Sequence, residues 1–561
     1  MRVDQSIRRA RIFTAAAAIV FMSVSAFGQS GQSSLSNALQ AAARTTAMQP
    51  STSVRRLSID DATRLALEQN LGIRIQRVDP QIQDVGIWQA RSFWAPNFTT
   101  SLNKNSNSQP AQSAILPSFQ NGTFSSGIGL TEVLPWGGNY SASWNNQRLT
   151  STNILNNFSP QLQSVLNVNY TQPLLRNFSF DQIRQQVQNS KKVRDLSDIQ
   201  LRGVVTGTMR NVKNAYWDLV YAINNLKAQQ QSLALSQQSL KDNQKRVEIG
   251  TMAPIDIVQA QAEVASNEQG VIVADANIRQ AQDNLRALIL DPGTPDFWTV
   301  EFEPTDEPAF SEQPIDVDEA VRNALSKRSD LMSAKNSLEQ SDVNIKYYKN
   351  QVLPDINATV NYGTFGIGGT QLTPVDLALA ATGVVPARAT LAQRGYGTVL
   401  GDVFSSAYPQ WSVGVQFGYP LGASTAQANL ARVKLQYEEA QMQMKNIELQ
   451  IATQVRAVAR NVQTNQKRVQ SARASRELQE KKLEAEEKKL AAGMSSTFFV
   501  FQAQRDLSIS RVAEIQAIAD YNKSLVDFQA VQEVPVGGGA GGFTTAGSGA
   551  ISTGGSLIIR Q

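Results

Sequence analysis

Two residue types that carry out much of protein chemistry are missing from this sequence. Its 561 residues include no histidine and no cysteine. Ser-His-Asp and Cys-His nucleophile pairs, conventional zinc, haem and iron–sulfur ligation, and a histidine general base are therefore excluded. The sequence also contains no nucleophile elbow, phosphate-binding Gly-Lys loop or dinucleotide fingerprint. We therefore expect no enzyme, no cofactor and no metal site.

Most of the net positive charge of the chain comes from its first residues. The chain has 52 Lys and Arg against 47 Asp and Glu, a formal net charge of +5. Four arginines precede an apolar stretch over 12–24 and the small residues Ala26 and Gly28, which is typical of a secretory signal peptide over 1–28. The alternative of a membrane anchor needs about 20 apolar residues, more than this stretch has. The remaining chain is nearly neutral, and we expect no nucleic-acid partner.

The sequence also predicts a tandem duplication. At a shift of 258, Asp60-Asp61-Ala62 matches Asp318-Glu319-Ala320, and at a shift of 243, Gly250 and Gln259 match Gly493 and Gln502. We expect a first repeat over 57–291 and a second over 315–533. A linker over 29–56 precedes them, a linker over 292–314 joins them, and a disordered Gly/Ser/Thr-rich tail over 534–561 follows.

Each repeat predicts the same order of elements. A helix over 57–93 or 317–352 ends before a proline, and strands follow over 97–172 or 355–420. A long helix over 181–249 or 424–492 reaches a tight turn at Gly250 or Gly493, and a shorter helix over 254–290 or 497–531 returns. Apolar residues recur every seven positions in these helices, among them Val455, Val462 and Val469, which predicts coiled-coil packing.

The strand regions alternate between apolar and polar residues. Trp411, Val413, Val415 and Phe417 alternate with Ser412, Gly414 and Gln416, and nine residues of strand span about 26 Å, close to an outer-membrane apolar band. Trp411, Tyr419, Tyr362 and Tyr170 are the candidate aromatic girdle. A soluble half-buried sheet explains the strands equally well, but the signal peptide and the duplication favour the membrane.

The number of strands requires more than one chain. We predict two strands in the second repeat and two in the first, together with an extra hairpin over 124–134 and 140–144. Four to six strands cannot close a barrel, and open edges cannot face lipid. Several chains must therefore share one barrel.

Several motifs, taken in order, resemble the TolC-like outer-membrane factor family. They are Ser58-Ile59-Asp60-Asp61-Ala62, Asn214-Ala215-Tyr216-Trp217-Asp218-Leu219, Gln172-Pro173-Leu174-Leu175, Tyr419-Pro420-Leu421, and the tips at Gly250 and Gly493. The resemblance implies a mainly α fold with membrane β-structure. Tandem-duplicated helical hairpins would form a periplasmic α-barrel, and the strands would contribute to a shared trimeric outer-membrane β-barrel.

The resemblance also implies a location and partners. The homotrimer would cross the outer membrane of a Gram-negative cell, contact its lipid and extend into the periplasm. It would be a passive exit duct for tripartite efflux or type I secretion, energised by an inner-membrane RND or ABC pump through a periplasmic adaptor. A periplasmic coiled-coil adaptor or a structural envelope protein are the alternatives.

The resemblance places adaptor docking at the helical tips. The implied residues are Gly250, Thr251, Met252, Ala253, Gly493, Met494, Ser495 and Ser496. In some members, acidic residues six and nine places after the second tip glycine form gating rings, but here these are Phe499 and Gln502. At the same two positions after the first tip glycine, the chain has Asp256, the one acid retained, and Gln259.

We therefore hypothesise a constriction lined by glutamine and closed partly by Phe498, Phe499 or Phe501. Phe499 as an ordinary packing residue is an equal alternative.

Two insertions depart from the family pattern. If the extra hairpin joins the wall, a trimer would have eighteen strands instead of the usual twelve; otherwise it would lie over the barrel mouth or against its base. The Gly- and Ala-rich segment over 363–409 is expected to be an extracellular loop.

Overall fold

The computed structural model of the chain describes residues 53–111, 118–308, 310–312, 314–376, 378–379 and 387–536. The signal peptide predicted over 1–28 lies outside the described residues, as do most of the linker over 29–56 and most of the tail over 534–561. No helix among the described residues is long and apolar enough to span a bilayer.

The described part of the first repeat contains four α-helices and most of the strands. In chain order, its elements are β1 Ser53–Leu57, α1 Ile59–Gln69, α2 Leu71–Arg91, β2 Asn97–Gln109, β3 Phe119–Val133, β4 Asn139–Ser151, β5 Phe158–Pro173, α3 Gln182–Glu248 and α4 Ile255–Ile289. The long helix has 67 residues, or about 100 Å of rise.

The second repeat follows the same plan with fewer strands. A short strand, β6 Val300–Pro304, pairs with β1 between the repeats. The elements of the second repeat are α5 Val317–Lys327, α6 Ser329–Gln351, β7 Asp355–Leu372, β8 Thr390–Arg394, α7 Tyr396–Phe404, β9 Pro409–Gly418, α8 Thr425–Ala491 and α9 Thr497–Ala530.

The first helix of each repeat is broken, so the prediction of continuous helices over 57–93 and 317–352 is wrong. The breaks lie at Asn70 (ψ 122°) and Arg328 (ψ 131°), which are 258 residues apart. Asn70 caps α2, since its Oδ1 accepts a hydrogen bond from the backbone nitrogen of Ile73 at 3.0 Å. Asparagine favours such caps because its side chain competes with the helix for backbone groups.

The large sheet is antiparallel and has two open edges. Its order is β2-β3-β4-β5-β7, and both β8 and β9 pair with the other side of β7. The extra hairpin, β3 and β4, therefore lies inside the sheet between β2 and β5. β8 was not predicted; it joins the sheet, and α7 packs against β7 and β5, so this part of the segment over 363–409 is a strand and a helix instead of a loop.

The core of the helical layer follows the predicted seven-residue spacing only in part. Val455, Val462, Val469 and Leu483 are buried along α8, as predicted. In α3, Val212 and Leu219 are buried, but Ser236 and Asn243 take the buried positions nearer the tip. Val534 and Val536 are also buried, so the first residues of the predicted tail join the core. The chain is mainly helical with one large sheet, as the sequence predicted.

Candidate channel wall and helical tips

The six long strands give the sheet one apolar and one polar face. A row of paired residues across it reads Phe98, Leu130, Ala142, Val168, Tyr362 and Trp411. The adjacent row reads Asn97, Thr131, Ser141, Asn169, Asn361 and Ser412. Because successive side chains of a strand point to opposite faces, these rows lie on opposite sides. A wall between lipid and water requires this arrangement.

The predicted girdle residues lie at two levels of the sheet. Tyr362 and Trp411 pair directly across β7 and β9. Tyr170 lies near the helical end of β5, where its hydroxyl donates to Gln172 Oε1 at 2.6 Å and accepts from Trp136 Nε1 at 3.3 Å. Tyr419 follows the end of β9 and is exposed. Their contact with lipid stays a prediction.

The extra hairpin is fixed to the helical layer through its turn. Arg184, in the first turn of α3, donates from Nε and Nη2 to the Pro135 carbonyl oxygen at 2.9 and 2.6 Å. Gly137 has φ +92°, and a Cβ there would lie 2.7 Å from the Asn177 carbonyl oxygen. The turn therefore needs glycine and docks at the junction between sheet and helix. No sequence signal pointed to Arg184.

The two tip glycines end the long helices in the same way. Gly250 and Gly493 have φ of +77° and +74°, the left-handed region that glycine adopts without steric cost. Four backbone bonds form two Schellman motifs: Gly250 N to Val247 O (3.0 Å), Thr251 N to Arg246 O (2.8 Å), Gly493 N to Leu490 O (3.1 Å) and Met494 N to Lys489 O (2.8 Å).

The predicted docking residues are accessible in the chain. Gly250, Thr251, Ala253, Gly493, Met494 and Ser496 are exposed, and Met252 and Ser495 are half-buried. Exposed apolar side chains surround them: Ile249, Ile255, Val258 and Phe498. Such a surface can contact a partner, although the partner stays a prediction.

The predicted constriction residues differ in their surroundings. Asp256 is half-buried, and its Oδ1 accepts a hydrogen bond from Thr497 Oγ1 at 2.9 Å, so this carboxylate joins the two hairpins. Gln259, Phe499 and Gln502 are exposed.

Phe501 does not fit the hypothesis of a phenylalanine closure. It is buried beside Asn243 and Leu490, because it lies on the face of α9 that packs into the chain. Phe498 and Phe499 remain as candidates for this closure, and their rings meet edge to face at 5.5 Å between centroids.

Two sets of exposed apolar residues on the helices were missed from the sequence. We name the first the α2 seam, with residues 48 to 60% exposed at alternating spacings of four and three: Leu71, Ile75, Val78, Ile82 and Val85. The second, the α8 seam, consists of Leu435, Met442 and Leu449, each seven apart. Both spacings are typical of coiled-coil contacts and could have been found in the sequence.

The two seams lie at opposite ends of the helical layer. Contacts run from α2 to α3, from α3 to α6 and from α6 to α8, so α2 and α8 are its outer members. The strands that adjoin them in sequence, β2 and β9, are the open edges of the sheet. Both layers of the wall therefore end at the same two edges.

The buried phenol of Tyr216 has structural partners. Tyr216 is fully buried, and its hydroxyl donates to Asp306 Oδ2 at 2.7 Å. Burial and the neighbouring Asp306 raise the pKa of Tyr216 well above 10.0, so the phenol stays neutral and links α3 to the segment after β6. The described residues contain no acidic cluster suited to a metal ion.

Comparisons with known proteins agree on a family and a fold. The family model for outer membrane efflux proteins matches residues 62–289 and 320–531. The CmeC outer membrane channel of Campylobacter jejuni is 15% identical with a TM-score of 0.57, over 84% of this chain and 85% of that one. No curated protein sequence matches significantly.

Two further solved structures are similar. The outer membrane protein VceC of Vibrio cholerae is 15% identical with a TM-score of 0.57, over 84% of this chain and 96% of that one. The open state of the MtrE outer membrane channel of Neisseria gonorrhoeae is 16% identical with a TM-score of 0.54, over 85% and 89%. At these identities the structures establish the fold alone.

Proposed function

The chain belongs to the outer membrane efflux protein family, and we propose on this premise that three copies assemble into one passive exit duct. The family and the fold are those of outer-membrane channels rather than enzymes. The energy for transport would come from an inner-membrane RND or ABC pump, coupled to the duct through a periplasmic adaptor.

The observation that carries this proposal is the pair of open edges shared by the sheet and the helical layer. One edge consists of β2 and the α2 seam, and the other consists of β9 and the α8 seam. Two different edges that fit each other form a head-to-tail interface, which closes into a ring when the rotation between copies is right. An exposed strand edge cannot remain unpaired in lipid, so closure also completes the hydrogen bonding of the sheet.

The same geometry supports eighteen strands for the trimer. Each chain contributes six long strands to one continuous sheet, since the extra hairpin lies within it. The diameter of a barrel grows roughly linearly with strand number, and barrels of about 16 to 18 strands leave an aqueous channel. A strand count in a cryo-EM map of the trimer tests this number; twelve wall strands would refute it.

The tips would serve two roles in the duct. The exposed residues around Gly250 and Gly493 would bind the adaptor, and Phe498 and Phe499 would narrow the pore by apolar contact, together with Gln259, Gln502 and Asp256. Planar-bilayer recordings of Phe499→Ala test the second role. We expect a higher single-channel conductance than wild type, and equal conductance would contradict a gating role for Phe499.

Disulfide cross-linking tests the closure of the ring directly, because the natural chain has no cysteine. β2 runs away from the helices and β9 runs toward them, so β9 of one copy would pair antiparallel with β2 of the next. Aligning their helical ends, at Asn97 and Gly418, places Phe417 opposite Phe98 and Gln416 opposite Thr99. We expect the double variant Thr99→Cys, Gln416→Cys to form covalent trimers on oxidation.

The matched control replaces Gln416 with Gln410, which lies on the same face of β9. Six residues of strand separate the two positions by about 20 Å, so Thr99→Cys, Gln410→Cys should not cross-link between copies. A Thr99–Gln416 pair that stays monomeric in membranes, or a control that cross-links equally well, would contradict the proposed closure.

A further inference from the structure

The apolar face of the sheet becomes polar beyond Tyr362, on the side away from the helices. The second row past Tyr362 on this face reads Leu102, Ser126, Asn146, Ser164 and Gly366. Ser164 Oγ donates to Asn146 Oδ1 at 2.7 Å and accepts from Trp144 Nε1 at 2.9 Å. Ser164 is completely buried, and Ser126 and Asn146 are half-buried, so this polar patch is covered at Ser164.

The cover is the short helix α7. Val399 and Val403, one turn apart, are buried against the sheet. A Cβ at Gly366 would lie 2.3 Å from the Val399 carbonyl oxygen, so the close contact between α7 and β7 requires glycine at this position. The ring of Phe404 meets Trp144 edge to face at 5.7 Å, and the Tyr362 hydroxyl donates to Ser406 Oγ at 2.9 Å. α7 is therefore packed on the apolar face of the sheet.

Exposed apolar side chains lie on and beside α7. Phe404 is 67% exposed, and Tyr396, Leu391 and Tyr408 are exposed around it. The single charged residue of the helix is Asp402, which pairs with Arg394 of β8 at 2.7 Å. The chain runs from α7 directly into β9, and Tyr362, which pairs with Trp411, is bonded to Ser406, so this surface lies next to that of Trp411 and Val413 on β9.

We propose that α7 is an interfacial helix that lies in the outer leaflet of the membrane, shields the polar patch and presents Phe404 to lipid. Acyl chains exclude the uncovered Asn146 and Ser164 because unpaired polar groups are costly there, whereas an apolar helix face with aromatic residues suits the boundary between headgroups and acyl chains. Lipid is the partner that we assign to the exposed surface of α7, because this surface lies next to the apolar face of β9. This inference rests on the proposed placement of the sheet in the membrane.

Fluorescence quenching of single-cysteine variants tests the inference. Phe404→Cys is labelled with an NBD fluorophore and reconstituted into phosphatidylcholine vesicles with a nitroxide on the acyl chain near the headgroup. Val413→Cys, on the apolar face of β9, is the lipid-facing reference, and Asn145→Cys, on the polar face of β4, is the water-facing reference. We expect nitroxide lipid to quench most of the fluorescence at Phe404, as at Val413, and aqueous iodide to quench only Asn145.

The outcomes distinguish a failure of the inference from a failure of the proposed function. Iodide quenching at Phe404 with lipid quenching at Val413 would overturn the inference alone. Protection of Phe404 from both quenchers would also overturn it, since a neighbouring copy would then cover α7. Absence of lipid quenching at Val413 would overturn the membrane placement of the sheet, and the inference with it. In a second variant, Gly366→Val should displace α7 and reduce lipid quenching at Phe404; unchanged quenching would contradict the proposed contact.

Discussion

The duplicated helices α2 and α6 occupy equivalent places in the two repeats but present opposite surfaces. The α2 seam is apolar and exposed. A shift of 258 places its five residues on buried or half-buried positions that are mostly polar: Ser329, Ser333, Asn336, Gln340 and Val343. α6 packs against α3 within the chain, where Lys192 pairs with Glu339 and Gln185 donates to Asn344 Oδ1 at 2.8 Å.

The long helices show the same difference. The α8 seam is apolar, whereas the positions 243 residues earlier in α3 are Lys192, Ile199 and Thr206, and Thr206 donates to Glu533 Oε2 at 3.0 Å. A contact inside one chain can be polar because chain connectivity already holds α3 and α6 together. A contact between separate copies must also overcome the lost translational and rotational freedom of association, which is about 4 to 15 kcal/mol. Apolar seams can supply that free energy.

The largest expected effect comes from removing the apolar character of the α2 seam. We expect Ile75→Ser with Ile82→Ser to dissociate the trimer, because two lost apolar side chains weaken each interface by about 3 to 6 kcal/mol. Mass photometry of detergent-solubilised protein measures the oligomeric state. The matched control, Ser333→Ala with Gln340→Ala at the equivalent positions of α6, should remain trimeric. A seam variant that stays trimeric would mean that α2 is not part of the interface.

The next effect distinguishes the two helix breaks. Arg328 is 2% exposed, pairs with Asp330 at 2.7 Å and donates to Gln454 Oε1 at 2.7 Å. We expect Arg328→Ala to lower the free energy of unfolding by about 3 to 5 kcal/mol, because it breaks an ion pair whose arginine is buried and leaves the half-buried Asp330 without this partner. The equivalent Asn70→Ala removes a helix cap and should cost about 0.5 to 2 kcal/mol. Urea unfolding followed by circular dichroism compares them, and equal losses would contradict this ranking.

The two tips should respond equally to substitution. Neither Gly250 nor Gly493 has a neighbouring atom within 4 Å of an added Cβ, so the cost of alanine arises from the left-handed backbone alone. We expect Gly250→Ala and Gly493→Ala each to destabilise their turns by about 1 to 2 kcal/mol. Hydrogen exchange of the last helical turn measures this change. A clear difference between the two variants would show that the tips are not equivalent.

The smallest expected effect is a dependence on pH at the second tip, which carries Glu486. Hydrogen bonds from Lys489 and then Ser495 hold the pKa of Glu486 below its ordinary 4.5. A lowered pKa means that the ionised form stabilises the tip above pH 4.5 and that this stabilisation is lost as the pH falls through the lowered value. The equivalent residue of the first tip is Asn243, which does not titrate.

Hydrogen exchange at the two tips, corrected for intrinsic rates and recorded from neutral to acidic pH, checks this difference. Protection at Met494 and Ser495 should decrease in acid while protection at Thr251 does not. Glu486→Gln should reduce the dependence to the part that arises from Glu484, whose pKa is lowered by the hydrogen bond from Lys488, and a variant with an unchanged dependence would exclude Glu486 as its origin.

Much of the helical layer could be predicted because its signals are local. Heptad spacing, the prolines and the tip glycines predicted the long helices to within about two residues at their ends. The breaks at Asn70 and Arg328 could not be predicted in this way. Arg328, for example, is stabilised by Asp330, which is near in sequence, but also by Gln454, which is distant in sequence. The α2 seam was readable as a pattern of four and three, but its exposure depends on which helices the fold places beside it.

The site could be predicted only in part. Alternation separated the apolar and polar faces of the sheet, and glycine identified the tips. Phe501, however, was grouped with Phe498 and Phe499 because the three are close in sequence, whereas the rotation of α9 buries one and exposes the other two.

The sequence by itself determined the duplication, the order of helices and strands, and the two-faced character of the wall, because periodicity of 3.5 and 2 residues acts over short distances. Only the tertiary structure decided where the extra hairpin and α7 lie. Both depend on contacts between residues far apart in the chain, such as Arg184 with Pro135 and Val399 with Gly366. Pairing and close packing of distant segments leave no periodic trace in the segments themselves, so the place of the hairpin inside the sheet and the position of α7 against it emerged only with the fold.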